Sequence, residues 1–399
     1  MVEGKKRKLL LVVNRFYPQV GGAEINVFLQ SQELGKYYDV EVFSPIRADD
    51  PAIEKVDNIE IQRFYNVLNP WNIFPYLGPK TICPNIFWKI IFGDYDVIHC
   101  FPAVNYNNIL AIMAGKIRKI PVFLTNFDLH DYAQLMKEQK TNKVPELSDL
   151  PIGKLQKYFL PKYDAIFTIS KRETDEIRKW NRRTCLSTVP IQMEEIDQEI
   201  DVEDFKRRFE IPEGKPIILC LSRVSHIKGQ DILLEAIPGL KKRIKDFFVL
   251  IVGARHFEPE FATELDHFVE DHELQNQVMI TGAVSRHDAL AALKACNVHV
   301  LPMRFMNSGA VVAESWAACK PVLQSTQIDP NYVVEQENGL TFNPSSVQDL
   351  EDKLFYLLKN PEKAAKMGMQ GRQLVESKFL YPHLIEQYMK TYESVLYQN

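Results

Sequence analysis

Short apolar runs alternate with amphipathic stretches along this chain, twice over, and that rhythm leaves few folds open to it. The first series occupies 8–13, 40–44, 59–64, 97–101, 122–127 and 165–170; the second occupies 217–221, 247–253, 278–282, 298–302 and 321–324. Stretches between them, such as Asp231–Ile237 and Asp288–Lys294, follow a helical pattern. Buried parallel strands joined by crossover helices produce this texture. Residues 192–204 are acidic and break the rhythm, the mark of a linker. A chain of 399 residues is also long for a single core. The expected fold class is α/β: two Rossmann-like domains, 1–195 and 205–380, facing each other across a cleft, with a helical tail, 381–399, packing back on the first.

Charge and cysteine usage narrow the functional classes. A net charge of −4 lacks the polyanion-binding footprint of a nucleic-acid partner, so none is expected. The six cysteines are scattered, mostly within apolar runs, and none forms Cys-x-x-Cys, which reads as buried thiols in a reducing compartment. Lys5 to Lys8 followed by Leu9 to Val13 mimics a signal peptide, but the apolar run stops at Asn14 and Arg15 and reads better as a first buried strand. No run approaches the ~20 apolar residues of a membrane span. A cytoplasmic protein is expected, with peripheral contact at the inner membrane face as a further option.

Two stretches carry chemistry. Ser222–Gly229 (SRVSHIKG) follows the run 217–221 and brings Arg223 and Lys228 to a strand's carboxyl end, where open α/β sheets bind ligands. Asn307–Val322 follows 298–302 with a glycine-led helix start, so backbone N–H groups of Ser308, Gly309, Ala310 and Val311 would face an anion. Glu314, one turn inside that helix, is placed to accept two sugar hydroxyl protons. A sugar diphosphate leaves with roughly two negative charges on oxygen, and fixed cations supply much of such catalysis, one lost donor typically costing ~10²–10³ in rate. Gly21 and Gly22 would let backbone N–H groups approach a ligand closely. Asp94 and Asp96 spell Asp-x-Asp but precede their strand instead of following it, and no metal-binding spacing of histidines occurs. No metal is expected.

Nearly the whole chain resembles the retaining glycosyltransferases of GT-B fold known as glycosyltransferase family 4 (glycosyl transferases group 1). Ser222–Gly229 resembles Gly-Arg-Leu-x-x-x-Lys-Gly, Ile251–Ala254 a Val-Gly-x-Gly strand end, and Met279–Gly282 Phe-x-Gly. Glu314–Val322 resembles Glu-Ala-Met-Ala-Cys-Gly-x-Pro-Val, Glu337–Leu340 the late Asn-Gly-Leu turn, and Tyr17–Glu24 Tyr-Pro-Pro-x-Gly-Gly-x-Glu. The resemblance implies a nucleoside diphosphate sugar, UDP- or GDP-linked, as co-substrate and no permanently bound cofactor. It places Gly253 and Gly282 beside the donor with the residues above, and assigns Glu314 to the ribose hydroxyls. Arg223 and Lys228 then take catalytic roles, with His130 as the candidate for the histidine after the fifth strand.

Two departures from the family pattern stand out. The first Glu of the family's Glu-x7-Glu pattern is Met306 here, and a thioether cannot bind two hydroxyls as a carboxylate would. Strict alignment places Phe127 at the histidine, leaving His130 or Asp128 to act if the loop is shifted. The expected function is metal-independent transfer of a hexose-type sugar to a hydroxyl on a glycan, lipid or small molecule, with retention of configuration. The alternative is a non-catalytic nucleotide-sugar binder or partner subunit. Residues 69–92, rich in aromatics and prolines with interleaved lysines, read either as a lipid- or acceptor-facing surface or as a loop and core helix.

Overall fold

The computed structural model describes residues 6–18, 22–46, 50–67, 81–102, 105–127, 157–304, 310–328 and 332–397. The chain forms two compact units, one of residues 1–188 with 381–399 and one of residues 189–380.

The first unit is built on an eight-stranded sheet of order β3-β4-β2-β1-β5-β6-β7-β8. Its strands are β1 (Lys8–Val12), β2 (Asp39–Pro45), β3 (Ile53–Val56), β4 (Ile59–Phe64), β5 (Val97–Cys100), β6 (Val122–Asn126), β7 (Ala165–Thr168) and β8 (Thr184–Leu186). All pair in parallel except β3, which runs antiparallel to β4. Both faces are covered, which is why the central runs are apolar without interruption. Leu10, Val12, Ile98, Val122 and Leu124 enter one core, while Leu9, Leu11, Val97 and Phe123 enter the other. Each such side chain contributes about 1.5–3 kcal/mol on burial.

Helices α1 (Gly22–Leu34), α2 (Asn85–Phe92), α3 (Tyr106–Arg118) and α4 (Lys171–Ile177) connect these strands. The second unit holds α5 (Met193–Asp197), α6 (Val202–Arg208), β9 (Ile217–Leu221), α7 (Gln230–Arg243), β10 (Phe248–Val252), α8 (Pro259–Asp271), β11 (Val278–Gly282), α9 (Arg286–Ala295), β12 (Val298–Leu301), α10 (Ala310–Ala317), β13 (Val322–Ser325), β14 (Gly339–Phe342), α11 (Val347–Lys359) and α12 (Pro361–Lys378). Its six strands are parallel, in the order β11-β10-β9-β12-β13-β14. The acidic stretch 192–204 carries α5 and the start of α6, both inside this unit.

Helix α13 (Tyr381–Leu396) then returns to the first unit. Leu384, Tyr388, Tyr392 and Val395 recur at helical spacing, are buried, and complete the core over β1 and β6. A buried polar chain fastens it: Tyr392 OH meets His99 Nδ1, His99 Nε2 lies 2.8 Å from Thr125 Oγ1, and Thr125 Oγ1 lies 2.7 Å from Tyr388 OH. Burial holds the His99 pKa well below its usual value, so the ring is neutral at pH 7. His99 is a packed strand residue.

The strand order reverses at the same place in each sheet. In the first unit β1 sits between β2 and β5; in the second β9 sits between β10 and β12. The loops leaving β1 and β5, and those leaving β9 and β12, therefore diverge and open a crevice at each sheet's carboxyl edge. All six cysteines are free, and burial pushes Cys83, Cys220 and Cys296 up to about 12, so these are protonated, inert thiols. No described helix is long and apolar enough to cross a membrane.

Candidate functional site

The crevice of the second unit is walled on one side by Ser222–Gly229. This loop is braced from its own helix: Gln230 Nε2 donates to Ser222 Oγ at 3.0 Å and to the Arg223 carbonyl at 2.9 Å. It is braced also from the exit of β12, where Arg304 donates to the His226 carbonyl at 2.7 Å and pairs with both Asp231 oxygens at 2.8 and 2.6 Å. Two glycines permit the close approach. A Cβ at Gly229, where φ is +70°, would lie 2.0 Å from the Pro302 oxygen, and one at Gly253 would lie 1.8 Å from the Ser222 oxygen. Gly282, at the end of β11, accepts the Gly253 N–H at 3.0 Å.

The two cations differ in setting. Lys228 is only 7% exposed, with Nζ 3.8 Å from Met303 Sδ. Arg223 is exposed and stacks over the Phe257 ring at 4.7 Å. The loop is firmly held, and Lys228 sits in a poorly hydrated position.

Across the crevice, α10 begins at Ala310 and Val311 and carries Glu314. Its carboxylate Oε1 accepts from Arg286 Nη2 at 2.7 Å, and the same guanidinium reaches Glu195 at 2.9 Å. Burial opposes the charge on Arg286, but the two carboxylates outweigh it and raise its pKa. A carboxylate offers about four lone-pair positions, so Glu314 paired once keeps capacity for two hydroxyl protons. Met306, Ser308 and Gly309 lie outside the described residues.

Comparison with known proteins gives the family and the fold. The family described as Glycosyltransferase Family 4 matches residues 20–190, and Glycosyl transferases group 1 matches residues 201–374. The chain belongs to glycosyltransferase family 4. It is 30% identical over 186 residues to the GDP-mannose-dependent alpha-(1-6)-phosphatidylinositol monomannoside mannosyltransferase of Mycobacterium tuberculosis, covering 45% of this chain and 48% of the relative. The match thus spans about half the length of that curated relative. Sucrose-phosphate synthase from Thermosynechococcus elongatus superposes with a TM-score of 0.75 at 21% identity, over 99% of this chain and 100% of that one. Anabaena Alr3699/HepE in complex with UDP superposes with a TM-score of 0.75 at 16% identity, over 97% and 100%. These likenesses show the GT-B fold.

In this family 4 chain the crevice of the first unit is a cavity of about 140 Å³ between the exits of β1, β5 and β6, lined by Asn14, Arg15, Glu24, Phe101 and Phe127 among others. Arg15 and Glu24 stand 3.7 Å apart. Phe127 packs on Phe101, ring centres 6.1 Å apart, and its N–H donates to the Pro102 carbonyl at 2.9 Å. The residue at the family's histidine position is therefore an aromatic side chain facing this cavity. Gly22 opens α1, and among the described residues a Cβ there would meet nothing within 4 Å. Gly21, Asp128 and His130 lie outside the described residues. Asp96 sits at the amino end of β5, its carboxylate accepting the Lys8 N–H at 2.7 Å.

Sequence reasoning missed Arg286, Glu195 and Arg304. They act on the site only through strands and helices distant in the chain, and no local motif announces them. Glu24 stood within a quoted motif, but its meeting with Arg15 needs the turn between β1 and α1.

Proposed function

We propose that this chain transfers a hexose-type sugar from a UDP- or GDP-linked donor to a hydroxyl acceptor, with retention of configuration and without a metal or resident cofactor. The observation that carries the reading is the buried Lys228 and the exposed Arg223 on one braced loop at a strand-order reversal, opposite Glu314 on α10. Domain 205–380 binds the donor and domain 1–195 the acceptor, with 381–399 returning to the latter. Lys228 and Arg223 pair with the diphosphate and stabilise the charge that develops as it leaves. The N–H groups from Ser308 to Val311 and the loop ends at Gly253 and Gly282 contact the nucleotide, and Glu314 accepts the ribose hydroxyl protons. Gly21 and Gly22 let the β1 loop approach the donor phosphates. The leaving phosphate takes the acceptor proton in a front-face displacement, which suits a β6 exit bearing Phe127, with His130 as the candidate assisting base.

The acceptor is a glycan or a lipid-linked molecule, in keeping with the phosphatidylinositol monomannoside acceptor in the name of the mycobacterial relative. The protein works in the cytoplasm with a peripheral hold on the inner membrane face. Met306 and Phe127 favour a second reading, a nucleotide-sugar binder that has lost the chemistry.

Incubation with UDP- and GDP-sugars decides between the two. Slow donor hydrolysis accompanying a raised melting temperature is expected of the transferase. A raised melting temperature without turnover, acceptors included, would support the binder, and no response to any nucleotide would remove the site altogether.

A further inference from the structure

The strand across the reversal point from β9 carries a histidine that the donor reading leaves unused. His299, on β12 between Val298 and Val300, is fully buried. Both ring nitrogens have partners, and the partners belong to the two walls of the crevice. The Leu221 N–H donates to Nε2 at 3.2 Å. An amide N–H can only donate, so Nε2 bears the lone pair and the proton resides on Nδ1. Nδ1 lies 2.5 Å from Ser315 Oγ, and the Ser315 hydroxyl lies 2.7 Å from the Val311 carbonyl. The direction of every bond follows: Leu221 N–H to Nε2, Nδ1–H to Ser315 Oγ, Ser315 O–H to Val311 O.

One end of this chain is the residue immediately before Ser222 and Arg223. The other is the first turn of α10, and Ser315 adjoins Glu314. An apolar residue at 299, like its strand neighbours, would fill the same space without fixing either wall's orientation, because dispersion contacts are non-directional. Hydrogen bonds in a dry site are directional, and leaving one partner unmade is expensive. Burial also holds the His299 pKa down to about 3, so the relay keeps one protonation state throughout the neutral range.

We propose that His299 is a positioning residue: through Leu221 on one side and Ser315 on the other, it sets the spacing between the phosphate-facing loop and the ribose-facing helix. The proposal rests on the donor-site reading above. It predicts that the relay, not mere occupancy of the space, determines nucleotide affinity.

The test uses the full-length chain with UDP and GDP as probes, by titration calorimetry, beside ¹⁵N NMR of the histidine rings. His299→Gln keeps an acceptor for Leu221 and a donor for Ser315, and should hold nucleotide affinity within about twofold. Ser315→Ala breaks one arm and His299→Leu both; each should weaken binding by about fivefold or more, the order expected for a lost buried hydrogen bond. Ser315→Ala decides the matter should the leucine variant fold poorly. In the NMR spectrum His299 should carry its proton on Nδ1 and not titrate between pH 7 and 4.5. A ring protonated on Nε2, or titrating near 6.5, would overturn the relay. Equal affinity in all variants would overturn its positioning role. Should the wild-type chain bind neither nucleotide, the donor-site reading fails and the positioning role with it, while the NMR result still decides the relay.

Discussion

Two cations a few residues apart have been placed in different surroundings, and their substitutions should separate accordingly. Arg223→Ala and Lys228→Ala should each lower donor affinity by about 1.5–3 kcal/mol, the scale of hydrogen bonds to charged groups. The Lys228 variant should fall at the upper end, because Lys228 is 7% exposed while Arg223 faces solvent. Calorimetry with the donor nucleotide checks the order, and unchanged binding in both would remove the diphosphate assignment. The buried histidines give a pH signature. His99 and His299 have folded-state pKa values depressed by burial, His299 to about 3. Between that range and 6.5 the unfolded chain binds more protons than the native one, so stability falls as pH drops through this window, by up to about 1.4 kcal/mol per pH unit for each. Urea unfolding from pH 7 to 4.5 measures it, and His299→Gln should shallow the slope. The cations were legible in the sequence because they sit in a local motif after an apolar run. Their braces were not, because Arg304 reaches Asp231 and His226 only after the β12 exit is laid beside the β9 exit.

At the scale of elements, α2 and α3 lie side by side and run the same way. The Cys83 N–H at the start of one donates to Asn107 of the other at 2.8 Å, and Arg118 at the end of α3 reaches the Gly93 carbonyl after α2 at 3.4 Å. Their inner faces enter the core through Ile86, Ile90 and Ile112. Their outer faces expose Trp88 (55%), Phe92 (81%), Met113 (49%) and Ile117 (65%), with Lys89, Arg118 and Lys119 also exposed. Aromatic and aliphatic side chains among cations suit an anionic membrane surface. Vesicles containing anionic lipid should therefore co-float the protein, neutral vesicles much less, and Trp88→Ser with Phe92→Ser should release it; equal flotation of the double variant would count against this face. For the segment 69–92, the sequence left a lipid- or acceptor-facing surface and a core helix as alternatives. Among the described residues α2 is a helix that buries one side in the core and exposes the other, and only the packed sheet shows which residues fall on which. The same reason explains the strands absent from the sequence reading. β3, β8 and β14 are short strands at sheet edges or beside them, where a long apolar run is not required.

For the molecule as a whole, two compact units each with its own sheet and core imply separable responses to a ligand. A nucleotide at a hundred times its dissociation constant should stabilise the unit that binds it by about 2.7 kcal/mol. Hydrogen exchange with UDP or GDP should accordingly slow within residues 189–380, at the β9 and β12 exits first, and leave β2, β4 and α13 unchanged; protection confined to the first unit would reverse the assignment of donor and acceptor. The partition into two α/β halves was readable at the level of sequence because continuous apolar runs are a local consequence of strands buried on both faces. The helical tail 381–399 and its return to the first half were readable too. The side chains it meets there were not, since His99 and Thr125 become partners of Tyr392 and Tyr388 only when β5 and β6 are neighbours. The sequence by itself determined which segments must be buried and which loops carry cations and glycines, because burial and turn geometry act over a few residues. Tertiary structure decided what those residues touch: Arg286 on Glu314, Arg304 on the Ser222–Gly229 loop, His299 between two walls. Those contacts depend on strand order, and strand order is a property of the assembled sheet.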